Sequence, residues 1–266
     1  MNWKDLFPKE NRYFETDNGI LYCGDCLEIM PKFSKKVFDA IITDPPYGIT
    51  ACKWDVVIPF EDMWKCLKKI RKNRTPIVLF GSEPFSSYLR ISNIKEYKYD
   101  WVWIKSRILG HLVAKYRPLE QKEVISVFGK GRINYYPIKV KRNKTRIDKR
   151  KGENGSCQHL NFKNKVDRIA VYVDKFPTTV LFFKSEHNVG FYTHPTKKPL
   201  LLLEYLVKTY TNKGDLVLDF TCGSGTTLVA CEKLNRRWIG IEIKEKYCEI
   251  SKNRILKESK QKRLFL

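Results

Sequence analysis

The stretch DLVLDFTCGSGTTLVACEKLNRRWIGIEI, residues 215–243, leaves few folds open. Its first apolar run, DLVLDF, has the near-continuous hydrophobicity of a strand covered on both faces. A turn holding Gly223 and Gly225 follows, then a helical segment, then a second buried run, WIGIEI. Two buried strands joined through a helix lie parallel, because a tight hairpin cannot connect them in that way. A parallel sheet needs helices on both faces. The chain is therefore expected to be α/β.

The same grammar recurs upstream. GILYCGD, VFDAIITD, PIVLFGS, KYDWVWIK and EVISVFGK read as strands. CLEIMPKF, FEDMWKCLKKIRK and EPFSSYLRIS read as helices, the second with Met63, Cys66, Leu67 and Ile70 on one face. Downstream, KKPLLLLEYLVKTYTNKGD is a helix with Pro199 near its start and Gly214 past its end, and KEKYCEISKNRILKES is a final amphipathic helix. Strands alternating with helices predict a doubly wound, mostly parallel sheet.

Between these blocks the character changes. Lys130 to Arg168 carries 13 Lys/Arg against three acids, with aromatics interleaved, as in GRINYYPIKVKRNKTR. The whole chain of 266 residues has 51 basic and 29 acidic residues, a formal charge of +22. Charge of that sign suggests a polyanionic partner, most often nucleic acid; a solvated surface is the plainer alternative. The basic stretch marks an insertion facing that partner, with Lys130, Arg132, Lys139, Lys141, Arg142, Lys144 and Arg146 as candidate phosphate contacts. Lys105, ending its strand, is a further candidate near the site.

The 8 cysteines lie mostly inside apolar patterns and read as small buried hydrophobes. Cys23 and Cys26 form one CxxC with no second pair, and the histidines form no spaced ligand set, so no metal is expected. MNWKDLFPKE lacks the apolar run of a signal peptide and no stretch is long enough to span a bilayer, which predicts a reduced, intracellular protein without a membrane partner.

Two strand ends carry chemistry. The first run of the opening stretch ends at Asp219, the glycine turn follows, and the next strand ends in Glu242, 23 residues on. Strand, Gly-x-Gly turn, helix, strand and acid suit an adenosine-bearing ligand whose ribose hydroxyls meet the acid. Position 228 is Leu, so the dinucleotide pattern G-x-G-x-x-G is absent. The second strand end is FDAIITDPPYGIT, in which Asp44-Pro45-Pro46-Tyr47 leaves the edge where such sheets bind ligands. The prolines lack N–H donors, so this rigid turn offers carbonyls and the Asp44 carboxylate as acceptors for an amino group, and Tyr47 offers a flat face to a base. A purely structural turn stays open on these residues alone.

Taken in order, the motifs resemble those of the amino-methyltransferases that act on DNA bases with S-adenosylmethionine. TDPPYG resembles their catalytic motif, LDFTCGSGTT their cofactor loop, THPTKKP at Thr193–Pro199 the segment at the methionine end of the cofactor, Gly24-Asp25 the element before the catalytic strand, and WIGIEI the ribose-binding acid. The catalytic motif precedes Gly223 by 179 residues, which resembles the β arrangement: catalytic half (1–128), target-recognition insertion (129–185), cofactor half (186–266).

The resemblance implies a Rossmann-like methyltransferase fold with a seven-stranded sheet. It implies cofactor contacts from Asp25, Cys26, Asp44, His194, Thr196, Lys197, Asp219, Phe220, Thr221, Gly223, Ser224, Gly225, Thr226, Glu242 and Ile243. Asp219-Phe220-Thr221 stands where the family usually has Asp-Pro-Phe, which leaves open whether Phe220 or Thr221 contacts the cofactor adenine. Lys197 stands where Gln is common. Catalysis falls to Asp44, Pro45, Pro46 and Tyr47, acting on the N6 amine of an adenine flipped from double-stranded DNA. Asp at the first motif position leans toward adenine; cytosine N4 is the alternative on the same fold, followed by an RNA or protein amine and a catalytically silent binding protein. A homodimer, a cognate restriction endonuclease and a bacterial or phage-encoded cytoplasmic protein working at the nucleoid complete what the resemblance suggests.

Overall fold

The computed structural model describes residues 2–49, 55–150, 168–185 and 197–263. Two compact units are present: residues 1–136 with 179–266, and residues 137–178. The second unit lies inside the expected 129–185 insertion. Its margins retreat because Ile133 is buried with the larger unit's core and Val180–Phe183 join that unit's sheet.

The larger unit's strands are β1 (Arg12–Thr16), β2 (Gly19–Cys23), β3 (Ala40–Thr43), β4 (Ile77–Gly81), β5 (Tyr97–Leu109), β6 (Glu120–Phe128), β9 (Val180–Phe183), β10 (Leu216–Asp219) and β11 (Arg237–Glu242). They form one nine-stranded sheet in the order β1-β2-β11-β10-β3-β4-β6-β5-β9. The central pairs β2–β11, β11–β10, β10–β3 and β3–β4 are parallel, as is the edge pair β5–β9. The pairs β1–β2, β4–β6 and β5–β6 are antiparallel. Seven strands were expected; the two extra ones cap the edges. β1 is half-buried and turns into β2 through Asp17-Asn18, and the short β9 lies against β5. Neither needs the continuous hydrophobicity of a central strand.

Side-chain alternation explains the layers. In β3, Ala40 and Ile42 face one core and Ile41 the other; in β10, Val217 and Leu218 divide likewise. The first core gathers Leu202 and Leu206 of α4 (Leu200–Tyr210), Val229 of α5 (Thr226–Lys233) and Ile255 of α6 (Glu245–Arg263). The second gathers Ile29 of α1 (Cys26–Ile29), Met63 and Leu67 of α2 (Phe60–Ile70) and Leu89 of α3 (Phe85–Ser92). Both faces of the sheet are thus covered, as a parallel sheet requires, and each fully buried Leu or Ile contributes about 1.5–3 kcal/mol. In α2, Glu61 and Asp62 in the first turn and Lys68 and Lys69 in the last also complement the helix dipole.

The strand order reverses between β10 and β3: the chain continues from β10 to β11 on one side and from β3 to β4 on the other. Ligands of doubly wound sheets bind outside the strand carboxyl ends at such a switch point.

The smaller unit contains an antiparallel ribbon of β7 (Val140–Arg150) and β8 (Arg168–Lys175), paired Arg146 to Tyr172 and Arg150 to Arg168. Its dense charge conceals strand periodicity in the sequence. No helix among the described residues is long and apolar enough to cross a membrane.

Candidate active site

The carboxyl ends of β2, β3, β10 and β11 open into a cavity of about 690 Å³. Asp44, Pro45, Pro46 and Tyr47 line it from the turn after β3; Asp219, Phe220, Thr221, Gly223, Ser224 and Thr226 line it from the loop after β10. Asp25, Cys26, Glu242, Ile243 and Lys197 complete the cofactor residues expected there that the structure places on the wall. His194 and Thr196 lie outside the described residues. Gly225 turns the loop into α5 with φ +72°, and a Cβ there would meet the Ser251 hydroxyl at 2.7 Å. Only glycine fits that position without strain.

The glycine loop is held from behind. Ser251 donates to the Gly223 carbonyl at 2.8 Å, and the Arg254 guanidinium donates to the hydroxyls of Ser224 at 2.9 Å and Thr226 at 3.0 Å. Glu242 accepts from the backbone N–H groups of Gly223 at 2.9 Å and Lys244 at 2.8 Å, while Gly24 N–H donates to the Glu242 carbonyl. Burial pushes the Glu242 carboxyl up against the pull of those N–H donors. Asp25 caps α1 through Leu27 N–H at 2.7 Å.

Hydroxyls join the two strand ends. Thr43 Oγ1 donates to Asp219 at 2.5 Å and lies 2.7 Å from Thr221 Oγ1, which donates to the Asp44 carbonyl at 3.1 Å. Thr221 therefore ties the loop after β10 to the turn after β3, whereas Phe220 is 1% exposed within the core. Burial raises the Asp219 carboxyl to about 7 although Thr43, Thr227 and the Thr221 N–H oppose it.

At Asp44, one carboxylate oxygen accepts from the Tyr47 hydroxyl and the other from the Lys198 ammonium at 2.6 Å. Lys198 also pairs with Glu123 of β6 at 2.9 Å, and Lys105 pairs with the second Glu123 oxygen at 2.7 Å. Lys105, expected among the DNA contacts, thus has its ammonium on a cavity carboxylate. Burial pushes the Asp44 carboxyl up, with Lys198 opposing. Burial pushes Glu123 the same way, but Lys198 and Lys105 together hold it below the ordinary carboxylate range. Burial and the two acids keep the Tyr47 phenol protonated far above its usual range. The Tyr47 ring stacks on Phe85, centroids 5.1 Å apart, so one of its faces is covered. The turn itself is pinned by Asp55, which accepts from Gly48 and Ile49 N–H at 2.8 and 3.0 Å.

Lys198 and Glu123 escaped the sequence reading. Lys198 stands one residue beyond the lysine expected to touch the cofactor. Glu123 is the acid that opens a run reading as an ordinary strand, and its place next to the apolar Val124 and Ile125 was the one hint the sequence held of its burial. Trp101 and Trp103 are core residues with satisfied indole N–H groups, to Tyr210 Oη at 2.6 Å and the Phe183 carbonyl at 2.9 Å. Of the expected phosphate contacts, Lys130, Arg132, Lys139, Lys141, Lys144 and Arg146 are exposed. Arg146 pairs with Asp148 at 2.8 Å, and the half-buried Arg142 donates to the Asp174 carbonyl.

Fold and site define a class: an α/β protein that brings a glycine loop suited to a nucleoside and a set of amine acceptors to one cavity. A family profile described as DNA methylase matches residues 38–253. The chain belongs to that family, the DNA methylases of N6 and N4 type. Among its relatives is the type II methyltransferase M.HpaI of Haemophilus parainfluenzae, 27% identical over 250 residues, covering 88% of this chain and 73% of the relative. Another is the DNA adenine methyltransferase YhdJ of Escherichia coli K12, 27% identical over 87% of this chain and 81% of the relative. M1.HpyAVI, solved as a complex with S-adenosylmethionine, aligns with a TM-score of 0.57 and 25% identity over 88% of this chain and 98% of its own. The cytosine-N4-specific PvuII DNA methyltransferase shares the fold, with a TM-score of 0.66 at 18% identity over 95% of both chains.

The cofactor is S-adenosylmethionine. The residues present fit it: the cavity is walled by both motifs, Glu242 keeps lone pairs for hydroxyl donors after accepting two backbone N–H groups, and the loop after β10 lines the wall through Gly223, Ser224 and Thr226.

Proposed function

We propose that the protein methylates the N6 amine of adenine in double-stranded DNA at a specific site, the base being extruded into the cavity. The observation that carries this reading is that Asp44 and the glycine loop enter one cavity from adjacent parallel strands, β3 and β10. Bound there, S-adenosylmethionine supplies an electrophilic methyl group on its sulfonium. Glu242 and Asp25 hold its hydroxyl and amino functions, and the Gly223–Gly225 backbone approaches its adenosine.

An exocyclic aromatic amine is a poor nucleophile because its lone pair is delocalised into the ring. Asp44 accepts one of its hydrogens and the Pro45 carbonyl the other. This pair of oriented acceptors favours a tetrahedral nitrogen with its lone pair directed toward the glycine-loop side of the cavity. Asp44 then takes up the proton that the amine sheds. The uncovered face of Tyr47 stacks on the base and offsets part of the few kcal/mol, roughly, that unstacking costs. The chain has no Pro-Cys nucleophile of the kind that carbon-directed cytosine methylation needs.

The basic ribbon of β7 and β8, with Lys139, Lys141, Lys144 and Arg146, supplies phosphate contacts, and Lys130 and Arg132 of the larger unit are further candidates. Relatives named type II methyltransferases support a role as the modification partner of a cognate restriction endonuclease in a bacterial cytoplasm. Mass spectrometry of nucleosides from DNA incubated with the protein and S-adenosylmethionine tests the base. N6-methyldeoxyadenosine is expected; N4-methyldeoxycytidine would move the target to cytosine under the same mechanism, and the absence of both products would refute the reading.

A further inference from the structure

Four charged side chains meet in the cavity, and the reaction above uses only Asp44. The others arrive from separate elements: Lys198 from the residues before α4, Glu123 from β6 and Lys105 from β5. Lys198 Nζ lies 2.6 Å from Asp44 and 2.9 Å from Glu123, and its ammonium sits 5.2 Å from the Phe80 ring centroid and 5.7 Å from that of Tyr47. Glu123 is 4% exposed and spends one oxygen on Lys198 and the other on Lys105, with the Tyr47 hydroxyl 3.1 Å away. Two ammonium groups thus balance two carboxylates in a nearly closed set.

We propose that Lys198, held in turn by Glu123, is the positioning residue of the transfer site: it fixes the rotation of the Asp44 carboxylate and supplies its counter-charge. This rests on the reading of Asp44 as the amine acceptor. A carboxylate able to spin about its bond presents its lone pairs to the amine only part of the time. With Tyr47 on one oxygen and Lys198 on the other, both oxygens are pinned and each keeps a lone pair for substrate. A buried carboxylate without a counter-ion takes up a proton and loses acceptor capacity. The groups facing Asp44 are Tyr47 in its own turn, Lys198, Glu123, Lys105 one pair further on, and Asp219 across at β10. Lys198 is the only cation among them in direct contact with Asp44 among the described residues. Glu123 shares the Lys198 ammonium with Asp44, at 2.9 and 2.6 Å, and so fixes where that ammonium sits.

The test is single-turnover transfer of labelled methyl to DNA between about pH 5.5 and about pH 9, for the wild type, Lys198→Met, Lys198→Arg and Glu123→Gln, with S-adenosylmethionine affinity measured in parallel. Lys198→Met is expected to lose about 100-fold in rate at neutral pH, with the acid limb of its profile moved upward by about one pH unit or more and much of the rate recovered at high pH. Cofactor affinity stays within about threefold, because Lys198 contacts the acceptor and not the glycine loop. Lys198→Arg restores part of the rate and the position of the limb. Glu123→Gln removes a like charge beside Asp44 and leaves the Lys198 ammonium to Asp44, so it moves the limb the other way, to lower pH and by less, and it keeps the proposal testable should Lys198→Met fold poorly. A rate lowered equally at every pH, or an unshifted limb in a folded Glu123→Gln protein, overturns the proposal. Absence of transfer by the wild type refutes the underlying reading instead.

Discussion

Asp219 offers a prediction that needs neither DNA nor cofactor. Its carboxyl is 3% exposed, and burial raises it to about 7, from 3.8 in the open chain. In the folded state it therefore holds its proton up to neutral pH, while the unfolded chain releases it near pH 4. Folding stability from this group is full below the unfolded value, falls as pH rises between the two values, and is gone above about 7. Between pH 5 and pH 7.5 the loss is on the order of 2–3 kcal/mol. Asp219→Asn removes the titration while its side-chain oxygen still accepts from Thr43 and the Thr221 N–H. Urea melts of both proteins at the two pH values should show the variant gaining about 2–3 kcal/mol relative to wild type on going from pH 5 to pH 7.5, a shift of roughly 5–10 °C in Tm by thermal melts. A difference between the two proteins that does not change with pH would refute the claim that this carboxyl is buried and protonated in the folded enzyme.

Other predictions follow from the same geometry. Thr221→Val removes the hydroxyl that joins Thr43 to the Asp44 carbonyl; it should cost about 1 kcal/mol in a urea melt and about tenfold in single-turnover rate. Gly225→Ala puts a Cβ 2.7 Å from the Ser251 hydroxyl at φ +72°; calorimetric titration should show cofactor affinity reduced at least tenfold, with about 1–3 kcal/mol of stability lost. Replacing Lys139, Lys141, Lys144 and Arg146 by Gln should flatten the dependence of DNA affinity on salt by about 0.9 in log–log slope for each phosphate that is no longer neutralised, and an unchanged slope would remove the ribbon from the DNA.

The parallel core of the fold was legible because buried strands announce themselves. AIIT, IVLFG and LVLD are apolar at every position that a doubly covered strand requires, and the glycine turn and Pro-Pro turn punctuate them. What escaped was stabilised by pairing and not by burial. β1 is a half-buried edge strand whose turn into β2 ends in Asn18-Gly19, a hairpin signal hidden beside a stronger parallel pattern. The ribbon of β7 and β8 hides its alternation beneath lysines and arginines that read as solvated surface.

At the site, motif residues were visible because their backbone demands are local: a Gly where φ is positive, a Pro where no N–H is needed. Lys198 and Glu123 were not, because their roles come only from long-range convergence. Glu123 looks like any acid at a strand start until β6 pairs antiparallel with β4 and brings it to the cavity. Thr221, a departure from the family's usual residue, gains its meaning only when β10 is set beside β3.

The central claim is that Asp44 accepts the hydrogens of the target amine in a cavity that holds the cofactor independently. Labelled methyl transfer to DNA by wild type and Asp44→Ala, with S-adenosylmethionine affinity measured on the same preparations, tests it most directly. The expected result is transfer reduced at least about 1,000-fold in the variant, with cofactor affinity within about threefold of wild type. Transfer near the wild-type rate, with the cofactor still bound, would contradict it.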